Sequence, residues 1–253
     1  MSGGSRADWK AMDDKQRIRE LVWRRIDAAP EVRRPPGAAG RIPNFVGAEQ
    51  AAERLAEHAA WRSARVLKMN PDSPQLTLRA LGIDAAKLVF MAVPKLGAAL
   101  PFSALDRARL GDVSALIAAT IEGAARHGVP TALEAMVPID LIVCGSVAVS
   151  PAGVRIGKGG GYADIEYALL AELGWVTDET RIATTVHDLQ VLDEPLPDTL
   201  HDFRVDLIAT PTRLIECPRS PRPRGIIWED LDAGKIAAIP ALAARARAHS
   251  TST

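Results

Sequence analysis

The sequence predicts an α/β protein, a single three-layer α/β/α domain built on a mainly parallel open sheet. Three observations carry that expectation. Short apolar runs bounded by turn residues, at 66–69, 88–93, 139–149, 182–186 and 206–210, alternate with stretches of helical periodicity, as parallel strands and their crossover helices do. The 253 residues, 47% of them apolar, suffice for one generous core. No linker or repeat divides the chain. In such a sheet, ligands usually sit at the carboxyl ends of the strands.

Taken in order, a Gly/Ser start over 1–12 is expected to be disordered, the domain to span 13–248 and a tail to follow over 249–253. Asp13 or Asp14 can cap a first helix whose Ile18, Leu21, Val22 and Ile26 share one face as far as Pro30, the other face being basic. A Pro/Gly loop over 34–40 leads through Arg41-Ile-Pro-Asn-Phe45 to an Ala-rich helix over 48–61. Buried strands at 66–69 and 88–93 end at Asn70 and Pro94. A helix over 112–126, with Val113, Leu116, Ile117 and Ile121 in helical spacing, stops near Gly128, and a central strand at 139–149 runs toward a glycine cluster. The chain closes with a helix over 162–173 ended by Gly174, strands at 182–186 and 206–210, a basic proline-rich loop over 218–223 and an Ala/Arg helix to about 248.

Composition narrows the function classes. Lys plus Arg and Asp plus Glu both total 31, so nothing global draws the chain to nucleic acid or to an anionic membrane. Cys144 and Cys217 stand far apart without metal-ligand spacing, which fits neither a disulfide framework nor a zinc site. The longest apolar run, 140–150, is about half the length of a membrane-spanning helix, and the amino terminus has no apolar leader core. A soluble, cytoplasmic monomer or homodimer acting on a small molecule is expected.

The most informative segment is Arg155-Ile156-Gly157-Lys158-Gly159-Gly160-Gly161-Tyr162-Ala163-Asp164. Glycines between a strand and a helix let the backbone take positive φ and turn its N–H groups toward an anion at the helix start. Lys158 adds a point charge. The spacing matches neither a Walker loop, because Gly159 stands where Ser or Thr should hold magnesium, nor a dinucleotide fingerprint. Arg155, Lys158 and Asp164 around the glycines point to a nucleotide phosphate site with a divalent metal. Asp164 at a helix start equally suits a capping or dipole-complementing carboxylate.

This segment resembles the signature of the 5-formyltetrahydrofolate cyclo-ligase (methenyltetrahydrofolate synthetase) family, Arg-Leu-Gly-x-Gly-x-Gly-Tyr-Tyr-Asp. Lys15-Gln-Arg-Ile-Arg19 is similar to the family's amino-terminal Lys-x-x-x-Arg, Gln190 to a Gln after the signature, and Leu200-His-Asp202 with the strand to Thr210 to its closing segment. Arg41-Ile-Pro-Asn-Phe45, Lys68-Met-Asn-Pro-Asp72, Val186-His-Asp188, Thr210-Pro-Thr212 and Arg222-Pro-Arg-Gly-Ile-Ile-Trp228 resemble the diverged branch of methenyltetrahydrofolate synthetase domain-containing proteins. The resemblance implies a NagB/RpiA/CoA-transferase-like fold. It also implies ATP-driven phosphorylation of the formyl oxygen of 5-formyltetrahydrofolate, followed by ring closure to 5,10-methenyltetrahydrofolate. That chemistry needs positioning and charge neutralisation rather than a general base.

By the same resemblance Lys15 and Arg19 reach the phosphates together with Gly157, Gly159, Gly160 and Gly161. Lys158 and Arg155 serve catalysis, Asp164 helps hold Mg2+, and Tyr162, Phe45 and Gln75 line the substrate pocket. Against these stand plainer roles: Lys15 and Arg19 as solvated surface, the His187-Asp188 and His201-Asp202 pairs as structural groups, the scattered tryptophans as packing, and Arg219 to Arg224 as a solvated loop. Ala163 replaces the signature's second aromatic, Ile165 replaces Arg or Lys, and Gln75 stands near the place of a pterin-binding Glu. The phosphate half is kept and the pterin half altered. The resemblance therefore implies an ATP- and Mg2+-dependent cyclo-ligase or cyclo-ligase-like enzyme acting on a reduced folate. A related, thiamin-type heterocycle is an alternative substrate, and a non-catalytic regulatory or RNA-associated module an alternative role.

Overall fold

The computed structural model describes residues 6–29 and 37–250, with side chains over 12–29 and 37–248. The expected tails at 1–5 and 251–253, the first part of the 34–40 loop and the Trp9 side chain lie outside these. Helix α1 (Arg6–Asp27) starts well before Asp13, since residues 6–12 contain no helix breaker, and it buries Val22, Trp23 and Ile26. The expected 48–61 helix is two, α2 (Ala48–Ala56) and α3 (Ala59–Ser63), because His58 turns extended and caps α3 through its own ring, Nδ1 accepting from Ala60 N at 3.2 Å.

Next come β1 (Val66–Met69), α4 (Leu76–Asp84), β2 (Leu88–Ala92), β3 (Phe102–Leu105), α5 (Ala115–Ala118), α6 (Ile121–His127) and β4 (Val129–Thr131). They are followed by β5 (Leu141–Cys144), β6 (Ala148–Val149), β7 (Arg155–Ile156), α7 (Tyr162–Glu172), β8 (Arg181–Thr185), β9 (Leu207–Ala209), β10 (Leu214–Glu216), α8 (Ala233–Ala238) and α9 (Pro240–Ser250). The main sheet runs β10-β9-β8-β5-β1-β2-β3-β4; its five middle strands, β9 to β2, are mutually parallel, and antiparallel strands finish both edges.

Strand alternation sorts the core into two layers. Phe90, Ala92, Ile142, Cys144, Ile182 and Ile208 face α7 and α9, while Val89, Met91, Leu141, Val143, Ala183 and Leu207 face α2 to α6. This is the expected three-layer arrangement. Two elements differ from expectation. The 139–149 run leaves the sheet after Cys144, and Val147 to Val149 instead pair with the segment ending at Ile156 in a small hairpin under α1, both parts being buried. The 112–126 helix breaks where Thr120 caps α6, Oγ1 accepting from Gly123 N at 2.8 Å. Its expected apolar face is outward: Leu116 and Ile117 are each 56% exposed. Among the described residues no helix is long and apolar enough to cross a membrane.

Candidate active site

Where β1, β2 and β5 end, a cavity of about 330 Å3 opens, walled by residues 70–73, 93–95 and Gly145 and closed by the glycine loop and the first turn of α7. Its position is the one parallel topology favours. Gly159 (φ 101°) and Gly161 (φ 65°) take left-handed backbone that side chains resist, and Gly161 is the N-cap of α7 without any side-chain cap. The backbone N–H groups of Lys158, Gly159, Gly160 and Gly161 donate to no acceptor among the described residues. Together with the positive end of an eleven-residue helix, they form a row of unused donors of the kind that suits an anion.

Cations surround this row. Arg19 from α1 donates Nε to Gly157 O at 2.7 Å, and burial lowers its pKa. Lys158 is 47% exposed at its side chain and rests 3.3 Å from Asp72 Oδ1. Arg155 is buried and bonds Asp164 Oδ1 at 2.7 Å and Gly145 O at 3.3 Å. Burial alone favours its neutral form, but the Asp164 carboxylate outweighs burial and holds the guanidinium charge more firmly than usual. Lys15 does not reach the cavity wall; it is ion-paired with Asp202. Burial would raise the Asp202 pKa, yet Lys15 and Thr199 together hold it below the usual carboxylate value.

The substrate-side expectations fare differently. Tyr162 lines the cavity. Phe45 does not line it: the ring is fully buried with Ala48 and Ala51 and edge-on to His187 at 5.7 Å between ring centroids. Gln75 is also fully buried, its Nε2 donating to Thr185 O at 3.2 Å and Oγ1 at 3.0 Å, so it faces β8 rather than the cavity. A third acidic residue at the cavity, besides Asp72 and Asp164, is Glu166, one turn into α7, which pairs with Lys68 of β1 beside Asn70. Burial raises the Glu166 pKa despite Lys68. Sequence reasoning missed this pair; a lysine inside an otherwise apolar strand was the available signal.

Arg79 was missed as well. Fully inside α4, it donates to the carbonyls of Asn70 (2.6 Å), Asp72 (2.9 Å), Pro71 (3.3 Å) and Ala119 (3.0 Å), fixing the loop that carries Asp72. His187 caps the turn before Gln190, whose amide in turn donates to Ser146 O at 2.8 Å and Val147 O at 3.1 Å. Arg222 is buried against Asp206 (2.5 Å), so the basic proline-rich loop is anchored rather than simply solvated.

Among the described residues no three His, Cys, Asp or Glu side chains gather as a metal cage. Asp164 and Asp72 line the cavity with one oxygen each engaged by a cation and the other without a hydrogen bond among the described residues. One or two carboxylates completed by phosphate oxygens is the donor set Mg2+ accepts, so the pair suits a nucleotide-borne Mg2+ and not a free-standing metal site.

Residues 11–211 match the profile of the 5-formyltetrahydrofolate cyclo-ligase family. The chain belongs to that family. It is 40% identical over 240 residues to a methenyltetrahydrofolate synthase domain-containing protein of Mus musculus and 37% identical over 240 residues to that of Homo sapiens, in both cases over 90% of its own length. It spans only 62% and 60% of those relatives. Among solved structures it is similar to the NMR structure of Aquifex aeolicus 5,10-methenyltetrahydrofolate synthetase, with a TM-score of 0.51 and 18% identity, covering 82% of this chain and 94% of that one. That likeness shows the cyclo-ligase fold, and within it the glycine loop and the β1, β2 and β5 ends of this family member define one cleft.

Proposed function

We propose that this protein is an ATP- and Mg2+-dependent cyclo-ligase that closes the ring of 5-formyltetrahydrofolate or of a closely related formylated heterocycle. The observation carrying this reading is the row of N–H groups over 158–161 at the start of α7, without acceptors among the described residues and ringed by Arg19, Arg155 and Lys158. Triphosphate oxygens would take those donors. Lys158, half exposed and paired with Asp72 at 3.3 Å, moves from that carboxylate to the transferring phosphoryl group and screens its charge. Arg155 keeps Asp164 aimed into the cleft, and Asp164 with Asp72 would hold Mg2+, which neutralises phosphate charge when bound.

The phosphoryl group passes from ATP to the formyl oxygen, leaving ADP. The amine N10 then bonds to the formyl carbon and gives up its proton, and inorganic phosphate leaves with the oxygen. Nothing in the first step requires a base, which agrees with a site richer in cations than in free carboxylates. Tyr162 with Ile42, Pro71 and Pro94 supplies flat apolar walls, and Glu166 rather than Gln75 is the carboxylate within reach of a heterocycle's N–H groups.

The test is calorimetric titration with ATP and Mg2+ followed by the absorbance of methenyltetrahydrofolate formed from 5-formyltetrahydrofolate. Binding and product formation are expected. No nucleotide binding at millimolar concentration refutes the phosphate site; binding without product assigns the site to another heterocycle or to a non-catalytic role.

A further inference from the structure

The family match ends at residue 211, yet the chain beyond it returns to the cleft. Helices α8 and α9 pack along α7: Ile239 and Leu242 are buried in the same core layer, and Glu172 of α7 binds Arg245 at 2.9 Å and Ile226 N at 3.0 Å. From α8, whose cap Asp232 accepts from Lys235 N at 2.8 Å, the Lys235 side chain reaches the glycine loop. Its Nζ donates to Gly160 O at 2.5 Å and lies 3.6 Å from the centroid of the Tyr162 ring.

The consequence follows from peptide geometry. In a trans peptide the C=O of one residue and the N–H of the next point in opposite directions, so holding Gly160 O on the α8 side aims the Gly161 N–H away from it. Arg19 acts likewise on Gly157 O and the Lys158 N–H from α1. The intervening loop carries two residues with positive φ and, among the described residues, makes no backbone bonds through its own N–H groups, so these external cations are what hold its peptides in one orientation. Resting on the nucleotide reading above, we propose that Lys235 is a positioning residue. It fixes the Gly160–Gly161 peptide and the Tyr162 ring so that the amide row is ready for phosphate, a role supplied by the segment after the family match.

Full-length parent, Lys235→Met and Lys235→Arg proteins are titrated with ATP and Mg2+ and melted without nucleotide. Met keeps the aliphatic contact with Tyr162 and loses the donor, and should bind ATP about tenfold more weakly with a nucleotide-free Tm within about 2 °C of the parent. Arg, which restores a cation over the ring and a donor, should return to within about threefold. Equal binding by parent and Met overturns this inference alone. A Met variant whose Tm falls in step with its affinity, without recovery by Arg, makes Lys235 a packing residue and overturns it too. A parent that binds no ATP overturns the nucleotide reading, and this inference falls with it.

Discussion

Replacing Arg79 by Met tests how the cleft is held. Burial lowers the Arg79 pKa to about 10 against the pull of Asp72, so the group is charged at neutral pH and donates to four carbonyls. Met retains most of the aliphatic volume and removes every donor. The bonds to Asn70 O and Ala119 O are buried, whereas those to Pro71 O and Asp72 O are only partly so, and these last two carbonyls can turn to water. Stranding two buried acceptors costs roughly 1–3 kcal/mol each, and relief of the guanidinium's desolvation offsets part of it, leaving a net loss of about 3 kcal/mol. For a domain of this size that is a fall in Tm of roughly 10 °C. Because the β1–α4 loop also carries Asp72, the variant should bind ATP and Mg2+ more weakly. Differential scanning calorimetry reads the first effect and titration the second. A Tm within about 2 °C of the parent would show that the four carbonyls find other donors, and the account of the loop would fail.

Lys158→Ala should cut turnover far more than stability, since an exposed loop lysine contributes little to folding; comparable turnover in variant and parent makes it ordinary surface. Gln75→Glu should destabilise the protein by several kcal/mol, because a carboxylate cannot donate to Thr185 O and would be buried unpaired; an unchanged urea midpoint contradicts this. Asp202, held below the usual carboxylate range, contributes stability that is full above its unfolded pKa and lost as pH falls through its lower folded value. Asp202→Asn should therefore flatten the loss of stability below about pH 4, seen as a shallower fall of Tm with acid; parallel curves would show that Lys15 and Asp202 are not coupled in folding.

Much of this protein is readable from local pattern. Short, mainly apolar runs give β1, β2, β8 and β9, and the glycine cluster between strand and helix locates the cleft, because positive φ and an amide row at a helix start are properties of a short stretch of chain. Edge strands such as β3 and β4 escaped, as did α4, since a short segment that packs on one side carries little periodicity. The apolar spacing of Leu116, Ile117 and Ile121 pointed to a buried face that the fold turns to solvent, for periodicity names a face and not its partner. Gln75 shows the same limit, near the cleft in sequence from Asp72 and yet turned to β8.

The partners of the buried cations come from the three-dimensional arrangement. Lys15 with Asp202, Lys68 with Glu166 and Lys235 with the Gly160 carbonyl each join elements that sequence spacing leaves unrelated. Local sequence set which residue types were available and where the backbone could bend. Which cation meets which carboxylate depends on strand order and on the docking of α1, α7 and α8. Buried charges persist only where a partner satisfies them, so only the assembled fold could choose the partners.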